Sequence, residues 1–283
     1  MTLDHTTIVV TGATGNVGRP LVDELLNAGA NVRAVSRHPG SSGLPADVEV
    51  TDAAAAAVSG ASAVFLNSRA LGAELPAVID HSRHAGVARL VALSAINADE
   101  DFSCQPSRFR GDRNKEVEQL AVESGLQWVS LRPSVFASNF AGMWSAQIRA
   151  GDIVHGPYAS AASAPIVESD IAAVAAKALL GDDLVGQKVP LTGPKSLTNA
   201  ELVQIIGSVL QRPLRYREIS ADLVRQRFVG LGFPAEFGDA YVAMLSASVD
   251  QPALVTHDVE KILGRAARSF EQWAADHRSV FTN

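Results

Sequence analysis

Three glycines near the amino terminus have the spacing and the surroundings of a site that binds a dinucleotide. Gly12, Gly15 and Gly18 follow a short apolar run, residues 8–10, and precede leucines and valines at helical spacing. Glycine lets the backbone turn tightly and approach a pyrophosphate, and a helix that begins after the turn directs its free N–H groups at the anion. A strand, a glycine turn and a helix in this order therefore predict a dinucleotide-binding site.

The ends of two predicted strands carry further candidates for cofactor binding. Ser36 and Arg37 follow the second strand, where folds that select NAD place an acidic residue that binds the ribose 2′-hydroxyl. A planar guanidinium suits a phosphate, so Arg37 predicts NADP(H) rather than NAD(H), unless it is only a solvated surface residue. Asn67 and Ser68 leave the fourth strand at its carboxyl end, so their backbone should border the ribose and nicotinamide.

Strands that alternate with helical patterns predict the fold class. The sequence indicates an α/β protein with a Rossmann-type doubly wound parallel sheet and a smaller, mostly helical C-terminal substrate lobe. We predict an NADP(H)-binding domain over residues 1–180 and the substrate lobe over residues 181–283, with the two interleaved around residues 132–180. The predicted strands cover residues 8–10, 31–35, 48–50, 63–66, 88–94 and 127–131.

Composition excludes several classes of protein. With 283 residues, of which 47% are hydrophobic and 19% charged, the chain can bury a substantial core. The net charge of −6 and the lack of basic blocks argue against nucleic-acid binding. Cys104 is the only cysteine, which excludes an internal disulfide, and no metal site is predicted. Without a long apolar stretch or an export signal, we expect a cytoplasmic protein that acts on a small molecule, is free of membranes, and could form a homodimer.

Two segments resemble the short-chain dehydrogenase/reductase superfamily. Residues 11–18, TGATGNVG, resemble its extended and atypical branches, and residues 125–140, GLQWVSLRPSVFASNF, resemble the NmrA-like group of atypical members. The resemblance implies a nicotinamide cofactor wrapped by the glycine turn, with an acidic residue near the adenine. Besides the three glycines, the contacts that it implies are Thr14, Asn16, Val17, Asp52, Pro133 and Phe136.

The proton donor that is usual in this superfamily is missing. Its reductases carry Tyr-x-x-x-Lys on the helix predicted here over residues 112–123. The matching positions hold Arg110 and Asn114, and a shift by one residue gives Gly111 and Lys115. Neither alignment supplies a tyrosine. Lys115 either contacts the cofactor ribose or is a solvated helix residue.

Other side chains are candidates for catalysis or for substrate binding. The resemblance gives Ser94 a role in polarising a substrate carbonyl, although it could equally end a strand. His155 and Tyr158 are the proton-transfer candidates of a loop of small residues. An apolar run lies between the sixth predicted strand and this loop, and its members are Phe140, Met143 and Trp144. The run either forms an aromatic substrate pocket or packs in the core.

Two functions are consistent with these observations. The first is an NAD(P)H-dependent oxidoreductase without the Tyr-x-x-x-Lys pair, which reduces a quinone, azo, imine or similar conjugated small molecule by direct hydride transfer. A ketone needs a proton as its alkoxide forms, whereas a conjugated acceptor can take one later from water. Proximity of the two reactants then removes much of the barrier. The alternative is an NADP(H)-binding redox sensor or regulatory protein without turnover.

Overall fold

A computed structural model describes residues 6–282 of the chain. The strands in chain order are β1 (Thr7–Thr11), β2 (Asn31–Val35), β3 (Glu49–Thr51), β4 (Ala63–Asn67), β5 (Arg89–Leu93), β6 (Gln127–Pro133), β7 (Ile153–Gly156), β8 (Ala162–Ser163), β9 (Lys188–Leu191), β10 (Leu197–Thr198) and β11 (Arg215–Glu218). The α-helices are α1 (Gly18–Asn27), α2 (Ala54–Ala57), α3 (Ser68–Leu71), α4 (Leu75–His84), α5 (Asn114–Glu123), α6 (Ala137–Ala150), α7 (Glu168–Leu180), α8 (Asn199–Leu210), α9 (Ala221–Gly230), α10 (Ala235–Ser246), α11 (Asp258–Leu263) and α12 (Phe270–Asp276). Short 3-10 helices lie at Pro39–Ser41, Gly72–Glu74, Phe102–Cys104, Pro106–Arg110 and Arg278–Phe281.

The chain divides into two compact units, and it passes between them several times. The first unit holds the described residues up to Ala98, together with Gly111–Pro133 and Glu168–Pro190. The second holds Asp99–Arg110, Ser134–Val167 and the described residues from Leu191 onward. The boundary predicted between residues 180 and 181 falls inside the first unit of this division, because the chain after α7 leads into β9, a strand of the same sheet.

The first unit is built on a seven-stranded sheet with the order β3-β2-β1-β4-β5-β6-β9. Neighbouring strands from β3 to β6 are parallel. From the centre of the sheet, the strands follow the chain order β1, β2, β3 toward one edge and the order β4, β5, β6 toward the other. Ligands of such sheets bind where the order reverses, beyond the carboxyl ends of β1 and β4. The predicted Rossmann-type doubly wound parallel sheet is confirmed.

Helices cover both faces of this sheet, as a parallel sheet requires. On one face, α1 packs against α7, and both contact strands. On the other face, Val78 of α4 and Val117 of α5 share a core with Val64, Leu66 and Leu90 of the strands. These five side chains are fully buried. The near-continuous apolar character of the strands follows from burial on both sides.

A buried ionic cluster joins α5 to the sheet. The Glu118 side chain, which is 4% exposed, accepts hydrogen bonds from Ser130 Oγ at 2.5 Å and from Arg132 Nε and Nη2 at 2.8 and 2.6 Å. Lys188 Nζ of β9 lies 2.7 Å from the same carboxylate. Burial acts to raise the pKa of Glu118, but the hydrogen bonds from Arg132, Lys188 and Ser130 outweigh it and lower the pKa to about 2.

The second unit has its own aromatic core, which decides between the two interpretations of the apolar run on α6. Phe140 and Trp144 are both 3% exposed, and their rings lie 4.9 Å apart between centroids. Phe140 also packs on Phe270 of α12, and Trp144 packs on Tyr216 of β11. These two residues are therefore core residues rather than the walls of an aromatic pocket.

Short elements complete the second unit. β7 pairs with β11 in parallel, and β8 pairs with β10 in antiparallel fashion. Helices α8 and α12 both begin with a capping box, formed by Thr198 with Glu201 and by Ser269 with Gln272. None of the helices between residues 6 and 282 combines the length and the apolarity needed to cross a membrane.

We expect Glu118→Gln to lower the free energy of unfolding by about 3 kcal/mol at neutral pH, because Arg132 and Lys188 lose their charge partner. The pKa of Glu118 lies below the value of about 4.3 for an unfolded glutamate. Its contribution is therefore complete above that value and is lost as the pH falls through the folded-state pKa of about 2. Urea unfolding at several pH values measures this effect.

The difference in stability between wild type and variant should shrink as the pH falls through that range. Glu123→Gln is the matched control, since Glu123 is an exposed residue of the same helix. A difference that stayed constant down to the lowest pH would show that the carboxylate charge of Glu118 contributes nothing to stability.

Candidate functional site

Two of the three glycines are required by the packing of the turn itself. Gly12 has a φ of +68°, and a Cβ there would lie 3.0 Å from Asn67 Nδ2 and 3.1 Å from Ala70 Cβ. A Cβ on Gly18 would overlap the carbonyl oxygen of Gly12 and lie 2.7 Å from Ala13 Cα. Gly12 therefore permits the tight turn, and Gly18 permits α1 to begin directly against it.

Gly15 is different, because the protein does not need a glycine there for its own structure. It is exposed and its φ lies outside the left-handed region. A Cβ would meet only the Gly12 carbonyl oxygen, at 3.2 Å. The space beside Gly15 forms an open cradle. A pyrophosphate needs this space to approach the backbone, and a side chain at this position would fill it. The residues present therefore fit a dinucleotide.

The other predicted residues of the turn are placed in three different ways. Thr14 is half-buried and Asn16 is exposed, while Val17 is 3% exposed and directly precedes α1. Because the Val17 side chain belongs to the core, only its backbone could contact a ligand. The Gly15 carbonyl accepts a hydrogen bond from Arg19 N, at 3.1 Å.

The end of β4 is fastened to the glycine turn by a residue that sequence analysis did not single out. Thr11 Oγ1 donates to Phe65 O at 2.9 Å and accepts from Asn67 N at 2.8 Å, which links β1 to β4. Asn67 Oδ1 in turn accepts from the backbone N–H groups of Arg69 and Ala70, which caps α3. The signal for Thr11 was its hydroxyl directly after the apolar run of residues 8–10.

Ser68 also has a structural partner, since its buried hydroxyl accepts a hydrogen bond from Arg113 N at 2.9 Å. Arg113 directly precedes α5. The side chains of Asn67 and Ser68 therefore position backbone, and the predicted contact of their own backbone with a cofactor stays a prediction.

Ser36 and Arg37 lie next to the glycine turn. β2 pairs with β1 up to Thr11 and Val35, and Ala13 N donates to Val35 O at 3.3 Å. Arg37 is exposed, and its guanidinium has no hydrogen-bond or ion-pair partner within residues 6–282. Ser36 is 8% exposed, and its Oγ accepts from His38 N at 3.4 Å. The arginine is thus available to a phosphate.

A second arginine, which sequence analysis missed, shapes the loop that carries Arg37. Arg19 of α1 donates to Ser42 O at 2.5 Å and to Gly43 O at 3.0 Å. No sequence signal distinguishes it from a solvated helix residue. Asp52 follows β3, one strand further from the turn, and it is exposed. Its predicted contact with an adenine stays a prediction.

The side chain of Ser94 is hydrogen-bonded to the first residue of α5. Ser94 is 3% exposed and its Oγ donates to Asn114 O at 2.9 Å, so its proton is used within the protein. The helix begins at Asn114 rather than at residue 112. Arg110 ends a 3-10 helix, so this position of the superfamily's tyrosine precedes α5. Lys115 lies in the first turn and is half-buried.

Pro133 ends β6 in the first unit, where it is buried and its carbonyl accepts from Ile96 N at 3.0 Å. The other candidates belong to the second unit. Phe136 directly precedes α6 and forms a parallel bridge with Ile166. His155 lies on β7, where its backbone N–H donates to Gln147 Oε1 at 2.9 Å.

Tyr158 has a left-handed backbone, with a φ of +49°, which is uncommon for a residue other than glycine. Its carbonyl accepts from Asn199 Nδ2 at 3.0 Å, which holds this conformation.

The predicted site residues fall into two groups. The glycine turn, Ser36, Arg37 and Asn67 lie at one edge of the sheet. The catalytic candidates divide between the units, with Ser94 and Lys115 in the first and His155 and Tyr158 in the second.

The sheet and its glycine turn define a Rossmann-type dinucleotide-binding protein, and comparison with known proteins gives the family. The sequence model of a family described as NAD(P)H-binding matches residues 12–182. The chain is 32% identical to a (4-alkanoyl-5-oxo-2,5-dihydrofuran-3-yl)methyl phosphate reductase from Streptomyces griseus, with 97% of this chain and 99% of that protein covered. It is 29% identical to an NAD(P)H azoreductase from Xenophilus azovorans, with the same coverage.

Among solved structures, an NADPH-dependent quinone oxidoreductase from Escherichia coli in complex with NADPH has the same fold. The TM-score is 0.78 at 19% identity, over 95% of this chain and 99% of that one. The chain belongs to the NAD(P)H-binding family, in the NmrA-like group of the short-chain dehydrogenase/reductase superfamily, and is an NAD(P)H-binding oxidoreductase.

We expect Gly15→Val to weaken NADPH and NADH alike, by at least about tenfold, because the isopropyl group fills the cradle beside the turn. The fold should persist, since a Cβ at this position meets only one backbone oxygen, at 3.2 Å. Fluorescence titration measures both affinities, and circular dichroism checks the fold. Gly151→Val is the matched control, because Gly151 has extended backbone and open space around its Cα. A folded Gly15→Val variant with normal affinity for NADPH would refute the site.

Proposed function

We propose that the protein is an NADPH-dependent reductase of conjugated small molecules that transfers hydride directly, without a protein group as proton donor. The observation that carries the proposal is a complete dinucleotide turn combined with the absence of a tyrosine from residues 110–115. A ketone reductase would need an acid there, because the alkoxide must be protonated as it forms.

The chain's own residues hold and orient the cofactor in this proposal. The N–H groups at the start of α1 bind the pyrophosphate beside Gly15, and Arg37, with Ser36, binds the ribose 2′-phosphate. The backbone of Asn67 and Ser68 borders the ribose and the nicotinamide. When bound, NADPH supplies a hydride, so that the acceptor gains two electrons and one hydrogen, water provides the second hydrogen as a proton, and NADP⁺ remains.

A conjugated acceptor is the substrate class that this arrangement suits. Its π system spreads the incoming electrons, so the protonation can follow hydride transfer and needs no positioned acid. The relatives described above are named for the reduction of a 5-oxo-2,5-dihydrofuran, an azo compound and a quinone. In each of these compounds the electrons enter a π system, which supports the same chemistry for this chain.

Preference for NADPH follows from the uncommitted guanidinium of Arg37. We expect Arg37→Ala to weaken NADPH by about tenfold or more, because a hydrogen bond between charged groups contributes about 1.5–3 kcal/mol. NADH lacks the 2′-phosphate, so its affinity should change little. Calorimetric titration of both cofactors measures this, and Arg83→Ala is the control for loss of an exposed arginine in the same unit. Equal losses for the two cofactors would rule out a phosphate contact.

The proposal also predicts the behaviour of the two proton-transfer candidates. With a quinone as acceptor, Tyr158→Phe and His155→Ala should reduce the turnover number far less than the roughly 10²–10⁴-fold expected on removal of a general acid. Steady-state oxidation of NADPH measures it. A loss of that size in either variant would identify a protein proton donor. If NADPH binds tightly and quinones, azo compounds, imines and ketones are all left unreduced, the alternative of a redox sensor is favoured.

A further inference from the structure

Arg69 carries a positive charge at the edge of the sheet where the glycine turn also lies. It belongs to α3, the short helix that directly follows β4. This helix packs on the turn, since a Cβ on Gly12 would lie 3.1 Å from Ala70 Cβ. Arg69 is exposed, and its guanidinium has no hydrogen-bond or ion-pair partner within residues 6–282. The charge is therefore available to a bound molecule.

The segment that leads into α5 lies next to Arg69. The Ser68 hydroxyl accepts a hydrogen bond from Arg113 N at 2.9 Å, which fastens α3 to this segment. A Cβ on Gly111 would lie 4.0 Å from Arg69 Cγ. Gly111 is one of the two positions at which the tyrosine of the superfamily would align. The arginine side chain therefore passes beside a position of the missing tyrosine, and all of these residues belong to the first unit.

The strand order indicates which part of a bound cofactor Arg69 would face. Arg37, which is proposed for the ribose 2′-phosphate, follows β2, and the glycine turn for the pyrophosphate follows β1. Along the order β2-β1-β4-β5, the nicotinamide half then continues beyond β4 toward β5. Arg69 follows β4, and Gly111, beside its Cγ, lies in the connection from β5 to α5. Arg69 is thus placed for the nicotinamide half rather than for the pyrophosphate.

A guanidinium at this place can do part of the work of the missing tyrosine. Ser94, the other candidate for polarising the acceptor, donates its proton to Asn114 O at 2.9 Å. Arginine presents several N–H donors in a planar fork and keeps its protons at every pH at which proteins are folded. It therefore stabilises a negative charge without giving up a proton, as fixed donors do at sites where charge develops during a reaction.

From this placement we infer that Arg69 is a catalytic residue that binds the negative charge formed on the acceptor as hydride arrives. The acceptor gains the hydride of NADPH in a new bond to hydrogen, and its π system carries the charge to an oxygen or nitrogen. The guanidinium donates hydrogen bonds to that atom, water then gives it a proton and leaves as hydroxide, and NADP⁺ remains. The inference rests on the proposed function and narrows the acceptor to an uncharged quinone, enone or azo compound. A cationic acceptor becomes neutral on reduction, so Arg69 would not assist it.

Binding of 4-nitrophenol tests the charge site without turnover, because its anion resembles the charged product and is distinguished from the neutral form by absorbance. A pH series on the full chain saturated with NADP⁺ measures the affinity of each form. Wild type should bind the phenolate about tenfold or more tightly than Arg69→Met does, and both should bind the neutral phenol alike. Arg69→Lys keeps the charge and should recover part of the loss. Arg83→Met removes an exposed arginine of α4 and should change neither affinity.

A single turnover of bound NADPH with 1,4-naphthoquinone measures the effect on the reaction. Arg69→Met should slow hydride transfer about tenfold or more and leave the Kd of NADPH unchanged, because the guanidinium acts on the acceptor. Equal phenolate affinity in wild type and Arg69→Met, an unchanged rate of hydride transfer, or a loss confined to NADPH affinity would each refute the inference and leave the proposed function intact. If the phenolate binds through Arg69 but the quinone is not reduced by wild type, the inferred site stands and the proposed function fails.

Discussion

The close approach of helix α1 to the backbone of Gly12 is the contact on which the dinucleotide site depends. Gly18 lies so near the Gly12 carbonyl that no side chain can be accommodated there. This approach directs the first turn of α1 at the carboxyl edge of the sheet, beyond the ends of β1 and β4. It also brings Arg19 within reach of the loop after β2, and the hydrogen bonds of Arg19 then hold the segment that carries Arg37.

Polar groups at this edge divide into those that build the site and those that are available to a ligand. Four side chains form hydrogen bonds with nearby backbone groups of the protein itself, namely those of Thr11, Asn67, Ser68 and Ser94. Arg37 has no such partner within residues 6–282 and the space beside Gly15 is open, so these are the two features that we propose for the cofactor.

Local patterns in the sequence predicted most of the nucleotide-binding unit. The strand at Asn31–Val35 and the glycine turn follow from residues that are neighbours in the chain, so periodicity and turn chemistry suffice. The return of the chain to the sheet at β9 depends on pairing between distant segments, which a local pattern cannot predict. Phe140 and Trp144 have a helical spacing that suits a core and a pocket equally, and only their contacts with Phe270 and Tyr216 decide for the core.

The central claim is that hydride reaches a conjugated acceptor directly and that no protein acid takes part in that step. A single turnover of enzyme-bound NADPH with 1,4-naphthoquinone tests it most directly, followed by the absorbance of the reduced nicotinamide. The account predicts that deuterium at the transferring position of NADPH slows the reaction, whereas replacing water by heavy water leaves its rate unchanged. A slowing in heavy water would show that a proton moves in the same step, and that result would contradict the account.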